Sequence, residues 1–460
     1  MKRLFPILAI FCSACSLAPE YHKPAVAVPE QFGKTSFTHA IPADGLPKGE
    51  WWKIYSDRTL DALEDSLPEN QDLKAALERL RQAQSALQAQ RAMLFPSMDL
   101  SGTSQKFNTS RSRANYFRGI PYRYSDNLLT ADVSWEPDVF GRISNQVAYS
   151  RNQFEAAKAD LMALRLTLQA ELAADYFSLK ALRKQQQLQQ ELVKSGGEYL
   201  ELEKALLEGG GAPEADVDQA EISLQNEKSA EREIALNEET LEHAIALLLG
   251  RPASGFHVET GDAESTPMAI ASLPSRLLER RPDISSAERQ VEAANAEIGV
   301  ARAAYFPNFT LNAVGGFESG QLGNIFATPS ELWALGAGAA VNVFDAGLRK
   351  ALTEEARARY EETVANYRQI VLNAYREVED SLSSLDQLES ENASQKAAVE
   401  SASKAAKQAE FRYRGGMANY QDMVLSNMQL LQAREQLALL DGRRMNASVL
   451  LVKALGGSPE

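Results

Sequence analysis

From Leu348 to about Arg414 the chain contains neither proline nor glycine, and Val364, Val371, Val378 and Leu385 recur at steps of seven. A seven-residue apolar repeat marks helices packed side by side in coiled-coil fashion. At 1.5 Å per residue a helix of this length is about 100 Å long, more than the thickness of a globular core. It has to lie against other helices in a rod or tube. An earlier stretch, Gly141 to about Lys194, has the same character. There Val147, Ser150, Phe154, Ala157, Leu161, Leu164 and Leu168 alternate at three- and four-residue steps. The Gly196-Gly197 pair that follows predicts a kink or break.

The two long helices sit in two copies of one pattern. Met93-Leu-Phe-Pro-Ser-Met-Asp-Leu100 returns as Ala304-Tyr-Phe-Pro-Asn-Phe-Thr-Leu311, and Asp138-Val-Phe-Gly141 has a counterpart in Asn342-Val-Phe-Asp345. Gly210 to Asp216 matches Gly416 to Asp422, and Leu249-Gly250 matches Leu455-Gly456; these last two pairs share one offset of 206 residues. An internal duplication is the reading that keeps them in step. Each copy runs helix, extended pair, very long helix, glycine turn, helix. In the first, Leu60 to Met93 carries Leu63, Leu67, Leu73, Leu77, Leu80 and Leu87 among polar residues, and Pro96 ends it.

The extended pairs read as strands of about 97–106 and 127–137 in the first copy, and 308–317 and 333–344 in the second. Trp333, Leu335, Ala337, Ala339, Val341 and Val343 alternate with smaller residues, and Leu129, Ala131, Val133 and Trp135 alternate with Thr130, Asp132 and Ser134. Runs of about 9–12 residues with one apolar and one polar or small face suit strands tilted across a bilayer. Four strands cannot close a barrel, and lipid does not tolerate an open edge, so several chains would have to share one barrel. The alternative is two hairpins in a small soluble sheet.

Both cysteines, Cys12 and Cys15, fall within a basic, then apolar, then small-residue leader. That order reads as a secretory signal over residues 1–14, with the Cys15 thiol placed to carry a diacylglyceryl chain and become the mature N-terminus. A Cys-x-x-Cys redox or metal pair is the competing reading. Cys12 stands where leucine is usual. The rest divides into an N-terminal extended segment (15–59), a first repeat (60–250), a link (251–281), a second repeat (282–456) and a tail (457–460).

Composition narrows the function classes. A formal charge of −14 argues against a nucleic-acid groove. Mean hydropathy of −0.32 excludes a bundle of membrane helices. The four histidines are not spaced for a metalloprotease-type site, and no nucleophile, metal or phosphate constellation stands out. The chain is therefore not expected to be an enzyme or to carry a cofactor or metal.

The most specific stretch is Leu273-Pro-Ser-Arg-Leu-Leu-Glu-Arg-Arg-Pro-Asp-Ile284, followed by Ala287-Glu288 and by Ala293 to Pro307. With Trp51-Trp52, Asp57, Leu60, Asn70, Leu73 and Ala76, it resembles the outer-membrane factor (TolC-like) family over essentially the whole chain, in the lipoprotein branch with OprM, MtrE and NodT. The resemblance implies a mainly α protein with a membrane β-barrel. Three chains would build a twelve-stranded barrel, four strands each, above a long α-helical coiled-coil tube reaching into the periplasm. It further implies a passive exit duct in the outer membrane. An inner-membrane pump, typically of the resistance-nodulation-division class, would act through a periplasmic adaptor (membrane fusion protein) to expel small toxic compounds or drugs. Type I protein secretion and a non-conducting trimeric lipoprotein tether remain alternatives.

The resemblance also singles out residues. Arg412-Tyr413-Arg414-Gly-Gly416 through Asp422 matches the family's tip pattern, so Arg412, Arg414, Gly416 and Asp422 are the expected periplasmic gate. The turns at Gly210, Asp216 and Gly416 are the expected adaptor-docking tips, although Leu206 stands where the first copy should carry arginine. Asp216 and Asp422 also fit ordinary helix-start roles. Arg281, Pro282 and Asp283 read as an ordinary helix start, and Trp51 and Trp52 as packing anchors.

Overall fold

A computed structural model describes residues 16–26, 31–32, 35–36, 49–112, 121–261 and 281–457. After the short strands β1 (Gln31–Phe32) and β2 (Thr35–Ser36), the first copy holds α1 (Arg58–Ser66), α2 (Gln71–Ala92), β3 (Ser97–Asn108), β4 (Arg123–Trp135), α3 (Arg142–Glu208) and α4 (Glu214–Leu248). The second holds α5 (Pro282–Ala303), β5 (Asn308–Ser319), β6 (Glu331–Ala340), α6 (Leu348–Arg414) and α7 (Tyr420–Ala454). No helix among the described residues is long and apolar enough to cross a membrane, which leaves a barrel unaddressed.

The duplication is visible residue by residue. α3 and α6 each have 67 residues, and α4 and α7 each have 35. Glycines with positive φ stand at the same three places in both copies: Gly141 and Gly347 before the long helix, Gly210 and Gly416 after it, Gly250 and Gly456 at the end. All three pairs share the 206-residue offset. The match of Asp138-Val-Phe-Gly141 to Asn342-Val-Phe-Asp345 therefore shifts by two, because Asp345-Ala346 is inserted before the second glycine. Asp138 accepts hydrogen bonds from the Ile143 and Ser144 N–H groups, and Asp345 from those of Gly347 and Arg349, satisfying donors that a helix start leaves open.

Three expectations need correction. The Gly196-Gly197 pair does not break α3, which is continuous to Glu208. Gly196 sits against the Leu224 side chain of α4, and packing of this kind outweighs the roughly 1 kcal/mol that each glycine costs a helix. β6 stops at Ala340 rather than 344, because its partner begins at Asn308, directly after Pro307, and nothing remains to pair with Val341 onward. The other three strands each run farther at one end than expected, since polar residues such as Asn108, Arg123 and Ser319 join the ladder, while β4 ends at Trp135 rather than 137.

The described residues form two compact units. The first combines residues up to Ala25, Arg79–Lys158 and Ser286–Arg368, and contains the sheet β3 to β6. The second combines Val26–Glu78, Ala159–Ser285 and Gln369–Glu460. Its main core joins Trp51, Trp52, Tyr55 and Leu60 to Leu172, Tyr176 and Phe177 of α3, to Ile245 and Leu249, and to Val449 and Val452 of α7. Trp51 and Trp52 are buried at 3% and 4% exposure and meet edge to face. A buried carboxylate fixes this arrangement. Asp57 caps α1 through the N–H groups of Thr59 and Leu60, accepts a hydrogen bond from the Tyr176 hydroxyl, and pairs with Lys180 at 3.1 Å. Arg281 does similar work, pairing with Asp283 at 2.7 Å and with Glu377 at 2.6 Å, and donating to the Ala454 carbonyl. Pro282 does begin α5, but Arg281 also ties three segments together.

Candidate functional site: a one-sided sheet and two glycine turns

The four-stranded sheet has the order β3-β4-β5-β6, antiparallel throughout. Its register decides what each face presents, because successive side chains alternate. Met98 lies opposite Val133, Leu100 opposite Ala131, and Gly102 opposite Leu129. Val133 and Ala131 in turn oppose Ala313 and Gly315, while Trp135 opposes Leu311. Ala313, Gly315 and Leu311 oppose Leu335, Trp333 and Ala337. Every one of these residues is on the same face, and none is charged or hydroxylated. The opposite face carries Asp99, Ser101, Thr130, Asp132, Ser134 and Asn312. Here Ser101 bonds Thr130, Thr130 donates to Asp132, and Ser134 donates to Asn312.

The apolar face is open in the single chain: Leu100 is 76% exposed, Trp333 77% and Leu335 75%. A continuous exposed apolar surface of this kind signals contact with lipid or protein. Among the described residues β3 and β6 each have one unpaired edge, so the backbone donors and acceptors of two 10- to 12-residue strands face outward. In lipid each such group would cost several kcal/mol unless another strand satisfied it.

The two glycine turns are built alike. After α3, Gly209, Gly210 and Gly211 donate to the carbonyls of Ala205, Leu207 and Leu206; after α6, Gly415, Gly416 and Met417 donate to Phe411, Tyr413 and Arg412. This is a Schellman closure, and the left-handed residue it needs is the glycine with φ near +70° in each copy. Asp216 and Asp422 occupy the third position of the following helices, exposed and in the first turn. Neither is the cap itself: Asn419 caps α7 by accepting from the Asp422 N–H, and Pro213 precedes α4. Arg412 donates to the Met417 carbonyl, and Arg414 pairs with Glu410 one turn earlier. Both arginines thus have partners on their own chain other than Asp422. Phe411 (72% exposed) and Met417 (60%) make the second turn unusually apolar. Cys15 and Leu273 to Arg280 lie outside the described residues.

Sequence reasoning missed the Asp57–Tyr176–Lys180 contact and a second, partly buried set in which Arg183 reaches Glu238, Glu242 and the Val258 carbonyl. Nothing local marks these charges as partners, because they are 55 to 123 residues apart.

The family model for outer membrane efflux proteins matches residues 62–251 and 273–457, one block for each copy. The chain is 31% identical to the pyoverdine export outer membrane protein OpmQ of Pseudomonas aeruginosa, covering 99% of this chain and 97% of that protein. It is 28% identical to the cation efflux system protein CusC of Escherichia coli K12, with 99% of both covered. Among solved structures, the outer-membrane channel OprN superposes with a TM-score of 0.85 at 27% identity, covering 97% of this chain and all of that one. With both copies matched in order and nearly the full length shared, the chain belongs to the outer membrane efflux protein family.

Proposed function

We propose that the chain is the outer-membrane exit duct of a tripartite efflux system and catalyses no reaction. The observation that carries this reading is the sheet register, which lines up Met98, Leu100, Val133, Leu311, Trp333 and Leu335 on one face and, among the described residues, leaves both edges unpaired. Three copies joined edge to edge would give a closed twelve-stranded barrel, with that face toward lipid and the hydroxylated face toward a polar lumen. α3, α4, α6 and α7 would line a periplasmic tube, and Cys15 would carry the lipid anchor. A pump of the resistance-nodulation-division type, coupled through a periplasmic adaptor, would deliver small toxic compounds or drugs for passive release. Relatives at 28–31% identity are named for cation, pyoverdine and toluene efflux, so the cargo is set by the pump more than by the duct.

Within this reading the second glycine turn is the gate. Asp422, repeated three times around the axis, would narrow the aperture by like-charge repulsion and hydration, and Arg412 and Arg414 would form the closing contacts. The turns at Gly210 and Gly416, with Asp216 nearby, would receive the adaptor. Deleting the gene should raise accumulation of an efflux dye in cells that express the cognate pump, and a plasmid copy should restore export. Unchanged accumulation in the deletion strain, with the pump shown to be active, would overturn the proposal.

A further inference from the structure

Along the apolar face of the sheet the side chains change character toward one end. Met98 opposite Val133, Leu100 opposite Ala131 and Gly102 opposite Leu129 are followed by Ser104 opposite Asn127, Lys106 opposite Ser125 and Asn108 opposite Arg123. The register is unbroken from Ser97 to Asn108, so Lys106 and Arg123 share the face of Met98 and Leu100. Between apolar and charged pairs, the Ser104 hydroxyl donates to the Asn127 side chain at 2.7 Å. The other end of the band is marked by Trp135, whose indole N–H donates to the Leu94 carbonyl at 3.0 Å. From Trp135 to Ser125, β4 covers about 34 Å, or about 26 Å of height at a tilt of about 40°. Outer-membrane barrels carry an apolar band about 25 Å tall. Lys106 therefore stands at one boundary of that band and Trp135 at the other.

Charge is sorted between the two faces. Asp99, Asp126, Asp132 and Glu318 lie on the opposite face, and no lysine or arginine of the four strands accompanies them. Cations serving those carboxylates would have to share their face, yet Lys106 and Arg123 are on the other one. Glu331 is the carboxylate on the cations' own face, and it lies across from Phe317, two strands away from β4. Among the described residues Lys106, Arg111 and Arg123 form no ion pair. Arg123 donates instead to the Asn108 side chain at 3.2 Å, and its guanidinium lies 5.7 Å from the centre of the Tyr122 ring. Arg111 lies 3.7 Å from the same centre. One ring thus gathers two guanidiniums, and Lys106, Arg111 and Arg123 are all exposed. Cations held together on a surface, with no counter-charge of their own chain, suit an anion from outside it, and a guanidinium fork matches a phosphate.

We infer that Lys106, Arg111 and Arg123 bind the phosphate groups of phosphorylated glycolipids in the outer leaflet, whose acyl chains then lie along Leu129, Leu100 and Met98. The inference rests on the sheet being the membrane barrel of the proposed duct. β4 runs from Arg123 to Trp135 and α3 follows at Arg142, so with the helices in the periplasm the cations are at the outer surface. A phosphate monoester carries about −1.5 to −2 charge at neutral pH, which complements three cations better than the net-neutral headgroup of a zwitterionic phospholipid. Each lysine or arginine near a membrane surface adds about fivefold to the affinity for anionic lipid. The cations would fix the height of the barrel at the outer boundary, as Trp135 does at the inner one.

The test titrates purified full-length protein in neutral detergent with bisphosphorylated lipid A, or with the same lipid stripped of its phosphates, and counts bound lipid by native mass spectrometry. Wild type should prefer the phosphorylated form by about tenfold or more, and added salt should shrink that preference. Lys106→Gln combined with Arg123→Gln should weaken binding of the phosphorylated form by about 25-fold, at an unchanged unfolding midpoint. Glu331→Gln should bind at least as well as wild type. Equal affinity of wild type for the two lipids would overturn the inference, a result that depends on no variant folding. Undiminished binding by the folded double variant would also overturn it. So would displacement of the lipid by inorganic phosphate at equal concentration, which would assign the cations to the free anion. Conductance of the same wild-type preparation in planar bilayers reports on the duct separately. A chain that conducts but shows no phosphate preference overturns the inference and leaves the duct standing.

Discussion

Glu64 of α1 is buried to 3% exposure, and neither of its carboxyl oxygens has a hydrogen-bond partner among the described residues. Removal from water pushes its pKa up to about 9, only partly offset by the Arg165 charge, while Asp65 adds to the rise. The folded state thus keeps a proton that the unfolded chain gives up above the ordinary value near 4.5. The stabilising contribution is complete below that value and is lost as pH rises toward 9. At about 1.4 kcal/mol per unit, the loss between pH 5 and pH 8 reaches at most about 4 kcal/mol. Glu64→Gln keeps the shape and removes the titration, at the expense of leaving a neutral amide unsatisfied, which costs about 1–3 kcal/mol. The variant should therefore equal or fall slightly below wild type at pH 5 and exceed it by about 1–3 kcal/mol at pH 8. Thermal unfolding in detergent, followed by circular dichroism at both pH values, measures this. An unchanged pH slope in the variant would refute the reasoning, because the proton released on unfolding would then come from elsewhere.

Further outcomes follow from the same contacts. Gly197 has open space around the position of a Cβ and lies inside a continuous helix; Gly197→Ala should stabilise by about 0.5–1 kcal/mol in the same melt. A Cβ at Gly316 would lie 2.1 Å from the Leu129 carbonyl oxygen, so Gly316→Val should separate the two hairpins, read as a lower unfolding midpoint in the same melt. Asp57→Asn removes the ion pair with Lys180 and weakens the α1 cap; it should cost about 1–3 kcal/mol, read as a lower unfolding midpoint at pH 7.

Much of this protein was legible from sequence because its signals are local and occur twice. The left-handed glycines at Gly210 and Gly416 ended the long helices where the heptads ran out, and the alternation in β4 and β6 marked the sheet. What was not legible depends on distant partners. The end of β6 is set by Pro307 on another strand, and the continuity of α3 through Gly196 by Leu224 of α4. The bridging role of Arg281 required Glu377, which is 96 residues away. At the candidate gate, the sequence placed Arg412, Arg414 and Asp422 together on one turn. It could not foresee that the arginines would hold Met417 and Glu410.

The central claim, a conducting duct closed at the Asp422 turn, is tested most directly in planar bilayers. Purified wild-type protein should insert with small or infrequent current steps, and Asp422→Ala should give larger or more persistent steps of uniform size. Absence of any current from both, using protein shown to be folded and oligomeric, would contradict the account.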